Sequence, residues 1–509
     1  MDRSAFRWTP EAMKHVLAVV LVVLVVMSIL AALLEPPDEA KGRTALTWVS
    51  DNNPARVEQI ENFNRLFPDC FLRLDPNNTG VQKIIVQACS GIGPDIIDVY
   101  GIRQLQTYVD AGVLLDVTEI AIQRGFDPTK TYPKARPMLM MDGRQYCYPC
   151  NVNVDIIIYN KNLFDKYDVP YPPTDRVITW TEFIEKYAAP LTVRRPGKAM
   201  PECFGFCNDS WEELIYQAGG SFFTPDGTRC VVDSPQAIEA VQFHRDLMHR
   251  FNVSPNPIQR EGLSSEGGWG QGWINFFGSQ RIASIKIGKW SLIRLRRFQS
   301  DQRELFRKRH PDVVIPSDPE ECRRWHRKWM NERSDPQDLP PIRLGAMHVP
   351  RFEGREPAVV LDCRSAAINK LSPNRDKAVN FLAYLAGETY CQTINDGADA
   401  LPGNPEFATL ERQRNPEWPG EDDLHDLTNK AVAWGVTREV SPYIDGATTY
   451  RFIGAQIERI EADPSTDVAQ AMRIAAQDVN REIRRNIQRD AVLRERYRAS
   501  LAAADAGKD

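Results

Sequence analysis

Strand-like and helix-like stretches alternate along this 509-residue chain, and the alternation predicts an α/β protein built from two α/β units behind one long apolar N-terminal helix. Three observations carry the prediction. The first is the regular succession of apolar strands and amphipathic helices over residues 44–99, which favours sheets covered by crossover helices and a largely parallel strand arrangement. The second is that the same pattern resumes after Asp155. The third is length, which exceeds what one hydrophobic core occupies and calls for roughly two to four domains of ~100–200 residues.

The elements follow in order. Thr44–Val49 is a first strand, and a helix comes next with Val57, Ile60, Phe63 and Phe67 on one face. Phe71–Leu74 alternates as a second strand, Val81–Ala88 is a helix, and Ile96–Val99 is a third strand. In the second unit Asp155–Tyr159 is a strand, and Thr179 with Glu182 has capping-box spacing. Ser234-Pro235 opens a helix with Ile238, Val241 and Leu247 along one side, and Arg281–Ile287 returns to a strand. Leu292–Arg343 is rich in Arg, Lys, Asp, Glu and Pro. Its interspersed acids favour a solvated, partly helical excursion over a binding patch for anions. Ala358–Asn369 is a strand and turn, and Ser372-Pro373 caps a helix with Val379, Leu382 and Leu385 on one face. Ser465 or Thr466 caps a late helix carrying Val468, Met472, Ala475, Val479 and Ile483, whose charged continuation to Arg498 extends into solvent.

The N-terminus sets the compartment. Val16–Leu34 is a 19-residue apolar run broken only by Ser28, within the ~17–25 residues that span a hydrocarbon core as a helix. Arg3, Arg7 and Lys14 precede it, and Glu35, Asp38 and Glu39 follow. Positive charge on the inner side places a short tail, residues 1–15, in the cytoplasm and the bulk of the chain in the periplasm or extracellular space. The length favours an uncleaved anchor in the cytoplasmic membrane over a cleaved signal that releases the protein to the periplasm. Residues 35–43 are a linker. Lys+Arg 63 against Asp+Glu 68 gives a net charge of -5, so no general basic surface is available for nucleic acid.

Ten cysteines suit an oxidising compartment, and most are expected to pair; Cys70 could meet Cys89. Cys147, Cys150, Cys203 and Cys207 could alternatively form a four-thiolate zinc site, but their separation favours disulfides. The chain has no nucleotide-phosphate loop, and its seven histidines form no metal-binding pattern. His244 and His249 suit a helix surface without function. Two suitably spaced carboxylates would suffice for a glycosidase, but the adjacent pair Glu212 and Glu213 reads as polar residues in a first helical turn. Trp269, Trp273, Phe276 and Phe277 lie in a Gly-rich segment ahead of Trp290. Aromatic rings can cover the C–H face of a sugar while polar side chains reach its hydroxyls. Phe276 and Phe277 suit the core; Trp290 suits a ligand.

The ordered motifs Thr47-Trp48, Gly93-Pro94-Asp95-Ile96-Ile97, Tyr108 to Gly112, Asp142-Gly143, Tyr148-Pro149, Ile158-Tyr159-Asn160-Lys161, Pro172-Pro173, Thr179-Trp180, Gly219-Gly220, Gly288 with Trp290, and Leu371-Ser372-Pro373-Asn374 carry a resemblance. Over approximately residues 44–485 their order resembles the extracellular solute-binding proteins of ABC importers, especially the sugar and oligosaccharide binders that include maltose-binding protein. The resemblance implies a two-lobed periplasmic-binding-protein-like fold of type II. Lobe one would use residues 44–153 and 350–425, lobe two 154–345 and 430–490, and residues 491–509 would form a charged tail. It implies a monomeric binding domain with no catalysis, cofactor or metal. A sugar or oligosaccharide would close the lobes, and an ABC permease would recognise the closed form. A carbohydrate-active enzyme or a membrane-tethered glycan sensor is the alternative. The family's cleft positions fall at Trp290, Asn151, Asn153, Asp98, Tyr100, Asn208, Asp209 and Tyr443, with Trp269 and Trp273 added as aromatic candidates. For Asp98 the alternative is that its side chain merely caps the following turn.

Overall fold

A computed structural model describes residues 10–33, 40–77, 80–197, 200–261, 277–335 and 338–506. Helix α1 (Pro10–Leu33) has 24 residues. Its side chains are described from Lys14 to Ser28, and all are exposed, Val16 through Met27 included. Among the described residues no helix is long and apolar enough to cross a membrane; the described side chains of α1 stop short of the end of the apolar run at Leu34.

The first unit begins with β1 (Thr44–Val49), followed by α2 (Ala55–Leu66), β2 (Cys70–Asp75), α3 (Val81–Cys89), β3 (Ile96–Tyr100) and α4 (Gly101–Asp110). β1 lies between β2 and β3 and is parallel to both. Alternate side chains of β1 enter different cores, as the pleat requires. Leu46 and Trp48 join Phe63, Phe381 and Tyr384 on one face, while Val49 joins Ile84, Ile97 and Tyr108 on the other. Each such fully buried side chain contributes about 1.5–3 kcal/mol.

Two long strands leave this unit. β4 (Cys147–Asn160) pairs through its first half with β7 (Val359–Ile368), from Cys147 opposite Ala367 to Val154 opposite Leu361. Its second half pairs with β5 (Ser284–Gly288) and β6 (Leu344–Met347), where the second core begins. β7 meets β3 at its far end and the short β8 (Gly435–Val436) at its near end. The ladder runs β2-β1-β3-β7-β4-β5, and β4 and β7 are the crossing strands between two lobes. The sheet is therefore mixed rather than largely parallel, because β7 runs antiparallel to both its neighbours, β3 and β4.

Several local expectations need correction. In α2, Phe63 and Ile60 pack on the core as expected, as does Phe67 just after it, but Val57 is exposed at 61% and the buried face also carries Arg56, Gln59 and Asn62. Of its polar members Arg56 reaches the cleft described below, Gln59 accepts from Arg56, and Asn62 donates to Thr393. Thr179 accepts from the Glu182 amide, but the Glu182 carboxylate turns to Arg176 and Lys186, so only half of the capping box forms. Asp467, not Ser465 or Thr466, caps the late helix, which runs Val468–Arg489. Ser372 accepts from the Asn374 amide and donates to Asp95, ahead of a helix over Arg375–Ala386. The charged excursion is two helices, Leu292–Arg309 and Pro319–Glu332, that pack on lobe two through buried Leu292, Leu295 and Met330.

All ten cysteines are unpaired, which overturns the disulfide expectation. Cys147 and Cys150 face opposite cores of the first lobe, an odd number of residues apart on one strand, while Cys203 and Cys207 lie in the second lobe's core. Cys70 is buried and Cys89 exposed. Burial pushes the thiols of Cys147, Cys150 and Cys203 up to about 12, so they act as small apolar side chains. Among the described residues no group of His, Cys, Asp or Glu could hold a metal.

Candidate functional site

The floor of the interlobe cleft is made by the crossing strands. Asn151 stands opposite Arg364 and Asn153 opposite Asp362. Because side chains two apart share a strand face, these four polar groups project together. Asp51 after β1, Arg56 of α2 and Tyr100 at the end of β3 close the side belonging to the first lobe. Trp290, just after β5, closes the other. Together with Asp399 and Arg438 they line a cavity of about 330 Å³. A second compartment of about 300 Å³ shares Asn153, Asp362 and Arg438 with it and adds Asp155, Asn208, Asp209, Glu212 and Lys286. The shared residues make the two one continuous cleft.

Ion pairs organise its walls. Arg56 grips both carboxylate oxygens of Asp51 at 3.1 Å and donates to Asp399 at 2.8 Å. Burial would raise the Asp51 carboxyl, but Arg56 and Arg364 hold it below its ordinary value. Arg438 donates to Glu212 at 2.7 Å and pairs with Asp362, and Arg103 of α4 reaches Glu212 at 2.7 Å. Despite burial, the two arginines lower the Glu212 carboxyl. Lys286 contacts Asp155 at 2.9 Å and Glu213 at 3.5 Å; burial opposes charge on Asp155, but Lys286 lowers its pKa. In the first compartment three carboxylates thus face three guanidinium groups.

Asn153, like Arg364 with its Nε, has one buried polar atom without a partner among the described residues. Its Nδ2 donates to Asp155 at 3.1 Å, which turns its carbonyl the other way. That Oδ1 is buried and has no hydrogen-bond partner in the protein. A buried acceptor of this kind costs about 1–3 kcal/mol until something donates to it. Gly288 keeps the amide in place, since a Cβ there would stand 2.1 Å from Oδ1.

The expected positions divide. Trp290, Asn151, Asn153 and Tyr100 line the first compartment, and Asn208 and Asp209 the second. Tyr100 donates to Asp51 at 3.1 Å, Asn151 donates to the Asp399 carbonyl at 3.1 Å, and Asn208 to the Lys286 carbonyl at 2.7 Å. Asp98 is 3% exposed and sits behind the floor, receiving Trp48 Nε1 at 2.7 Å, Ser50 Oγ at 2.5 Å and Arg364 at 3.2 Å. It neither caps a turn nor lines the cavity; it holds Arg364. Tyr443 is 1% exposed in the core of the second lobe, near Tyr497 and away from the cleft lining. Trp269, Trp273 and Phe276 lie outside the described residues, and Phe277 is buried.

Sequence reasoning passed over Asp51, Arg56, Asp362, Arg364, Asp399 and Arg438. A signal existed for two of them: Asp362 and Arg364 are charged residues two apart inside an apolar strand, a pattern that puts both on one face. Glu212 and Glu213 do occupy a first helical turn, that of Trp211–Gln217, but they are buried in ion pairs. His244 is also buried, between Asp209 and Glu461, with its Nε2 2.8 Å from Glu461. Burial disfavours its charge, yet the two carboxylates push its pKa up to about 9.

Residues 50–262 match the family model described as bacterial extracellular solute-binding protein. The arabinooligosaccharide-binding protein of Halalkalibacterium halodurans is 25% identical over 229 residues, which cover 43% of this chain and 48% of that one. The chain therefore spans about half the length of that curated relative. Its fold is similar to an ABC substrate-binding protein from Listeria monocytogenes in complex with cycloalternan, with TM-score 0.65 and 20% identity, over 86% of this chain and 98% of that one. It is also similar to UgpB from Mycobacterium tuberculosis in complex with glycerophosphocholine, with TM-score 0.64 and 17% identity, over 88% and 100% of the two chains. By sequence over residues 50–262 and by fold over most of its length, the chain is similar to the bacterial extracellular solute-binding proteins.

Proposed function

We propose that the chain is the extracytoplasmic solute-binding component of an ABC importer, taking a neutral sugar or oligosaccharide into the interlobe cleft and presenting it to a permease. The observation that carries this reading is the make-up of the cleft, where the Trp290 indole and the amides of Asn151 and Asn153 line one cavity. The indole supplies a face for the sugar's C–H groups, and the amides supply partners for its hydroxyls. Three guanidinium groups balanced by three carboxylates leave no net positive charge for an anion. A phosphodiester group would compete with those carboxylates for the arginines, whereas a neutral saccharide leaves the ion pairs in place, so the saccharide is favoured. The carboxylates Asp51, Asp362, Asp399 and Glu212 are each held by an arginine, an arrangement that suits binding rather than proton transfer.

In this reading lobe one draws on residues 44–153 and 350–425 and lobe two on 154–345 and 430–490, as a monomeric unit outside the cytoplasm. The apolar run from Val16 anchors it in the cytoplasmic membrane, and tethering raises its concentration at the permease. The supporting feature is the exposed apolar surface of α1 from Val16 to Met27. Calorimetric titration of the full chain with arabinotriose, maltotriose and glycerophosphocholine tests the proposal, with the samples checked for reaction products. Saturable binding of a neutral saccharide without products is expected. Binding of glycerophosphocholine alone, or release of shortened saccharides, would reject it.

A further inference from the structure

On the charged excursion of the second lobe lies another cavity of about 500 Å³. Trp325, Lys328, Trp329, Glu332, Arg333 and Asp338 line it. Trp325 and Trp329 sit one turn apart on the helix Pro319–Glu332, with ring centroids 5.1 Å apart and planes at 20°, a stacked pair. Phe306 meets Trp329 edge-on at 5.2 Å, His310 does so at 4.8 Å, and Trp329 Nε1 donates to the Asp338 carbonyl at 3.3 Å. The helix is moored to lobe two by Arg323, which reaches Asp165 at 3.1 Å, and the loop after it by Arg343 on the same carboxylate. The rings are therefore held in place before any ligand arrives, and both stay half-buried rather than sealed in the core.

We propose that this cavity is a second carbohydrate site, which binds a neutral polysaccharide chain on the stacked tryptophans. It is independent of the cleft and shares no lining residue with it. The volume falls in the ~300–1,000 Å³ range of ligand pockets. The choice of ligand rests on the mixed signs around the rings. An anion would meet Glu332 and Asp338, and a cation would meet Lys328 and Arg333. A hydroxyl both accepts and donates, so it accepts from Lys328 and donates to Glu332, while Asp338 is paired with His310 and Arg333 donates to the Met330 carbonyl. The C–H face of one sugar unit covers the outer face of the stacked indole pair meanwhile. Such a site would hold the protein on a glycan whose short fragments the cleft takes up.

Affinity electrophoresis of the full chain in native gels containing soluble arabinan, maltodextrin or mixed-linkage β-glucan tests the proposal. At least one polymer should retard the chain, and Trp290→Ala should leave that retardation in place. Trp325→Ala combined with Trp329→Ala should weaken it at least ~10-fold. Lys328→Ala with Glu332→Ala changes only exposed rim groups, so it reports on the site even where the tryptophan variant folds poorly; it should weaken retardation ~3-fold or more. No retardation by any of the three polymers overturns the proposal, as does retardation abolished by Trp290→Ala or unaffected by both the tryptophan and the rim variants. Loss of permease capture in the tryptophan variant with polymer retardation intact would instead make this a protein-docking surface. Failure of the cleft reading is seen separately, in titration with trisaccharides.

Discussion

Trp290 and Asn153 are expected to act on ligand by different means, and the difference can be measured. Trp290→Ala removes a stacking surface and should cost about 2 kcal/mol or more of saccharide affinity in a chain whose circular dichroism is unchanged. Gly288→Ala touches no ligand in the proposed pose. Its new Cβ would stand 2.1 Å from Asn153 Oδ1, so the amide must swing away. Affinity should fall ~10-fold or more, and unchanged affinity would remove Asn153 from the site. His244 carries a pH signature. Its folded pKa lies above its ordinary value of 6.5, at about 9. The stability it contributes is therefore fully present below ~6.5 and is lost as pH rises through ~9. Thermal melts between pH 6 and 10 should show a fall in Tm that His244→Gln largely removes; parallel profiles would show that His244 is neutral throughout. These residues were unequally legible in the sequence. Trp290 follows an apolar strand as an isolated aromatic, which marks it. Arg438 carries no local mark, because Glu212 and Asp362, which place it, are distant in sequence, and Arg56 is held by the nearby Asp51 but reaches the cleft floor through the distant Asp399.

Among elements, the short strands and their helices were legible because each follows a period of 2 or 3.6 within one segment. The antiparallel return of β7 was not, since pairing partners such as Ile96 and Ile368 are set by the whole topology rather than by local pattern. The cysteines teach a related lesson. An even count suggested pairing, but a disulfide needs two side chains that face each other, and Cys147 and Cys150 point into different cores. Alkylation of the denatured, unreduced protein should therefore label all ten thiols; linked peptides in non-reducing maps would contradict this. For α1, cell fractionation with N-terminal sequencing should find the intact chain in the membrane pellet. A mature end after Leu34 in the soluble periplasmic fraction would reject the anchor.

At the scale of the whole molecule, crossing strands and a band of ion pairs join the two lobes, and α4 adds a neutral contact through Gln106, which donates to the Ser441 carbonyl at 2.7 Å. Arg103 belongs to α4 in the first lobe and Glu212 to the helix after Ser210 in the second, so the pair bridges the lobes directly. Arg438 extends the bridge to Asp362 on β7. Such charges are costly to strand when buried, so truncating one partner should cost roughly 3–5 kcal/mol where burial is complete and less here, since Arg438 is 25% exposed. The two-lobed plan was legible through the order of many weak motifs, while the cleft's charge balance appears only once distant segments converge. Hydrogen-exchange mass spectrometry of the full chain, with and without a saturating neutral trisaccharide, tests the central claim most directly. Ligand held between the lobes should slow exchange on both sides at once, in peptides containing Asn151 and Asn153, Trp290, Arg364 and Arg438. Protection confined to the helix that carries Trp325 and Trp329, or to one lobe alone, would contradict an interlobe binding site.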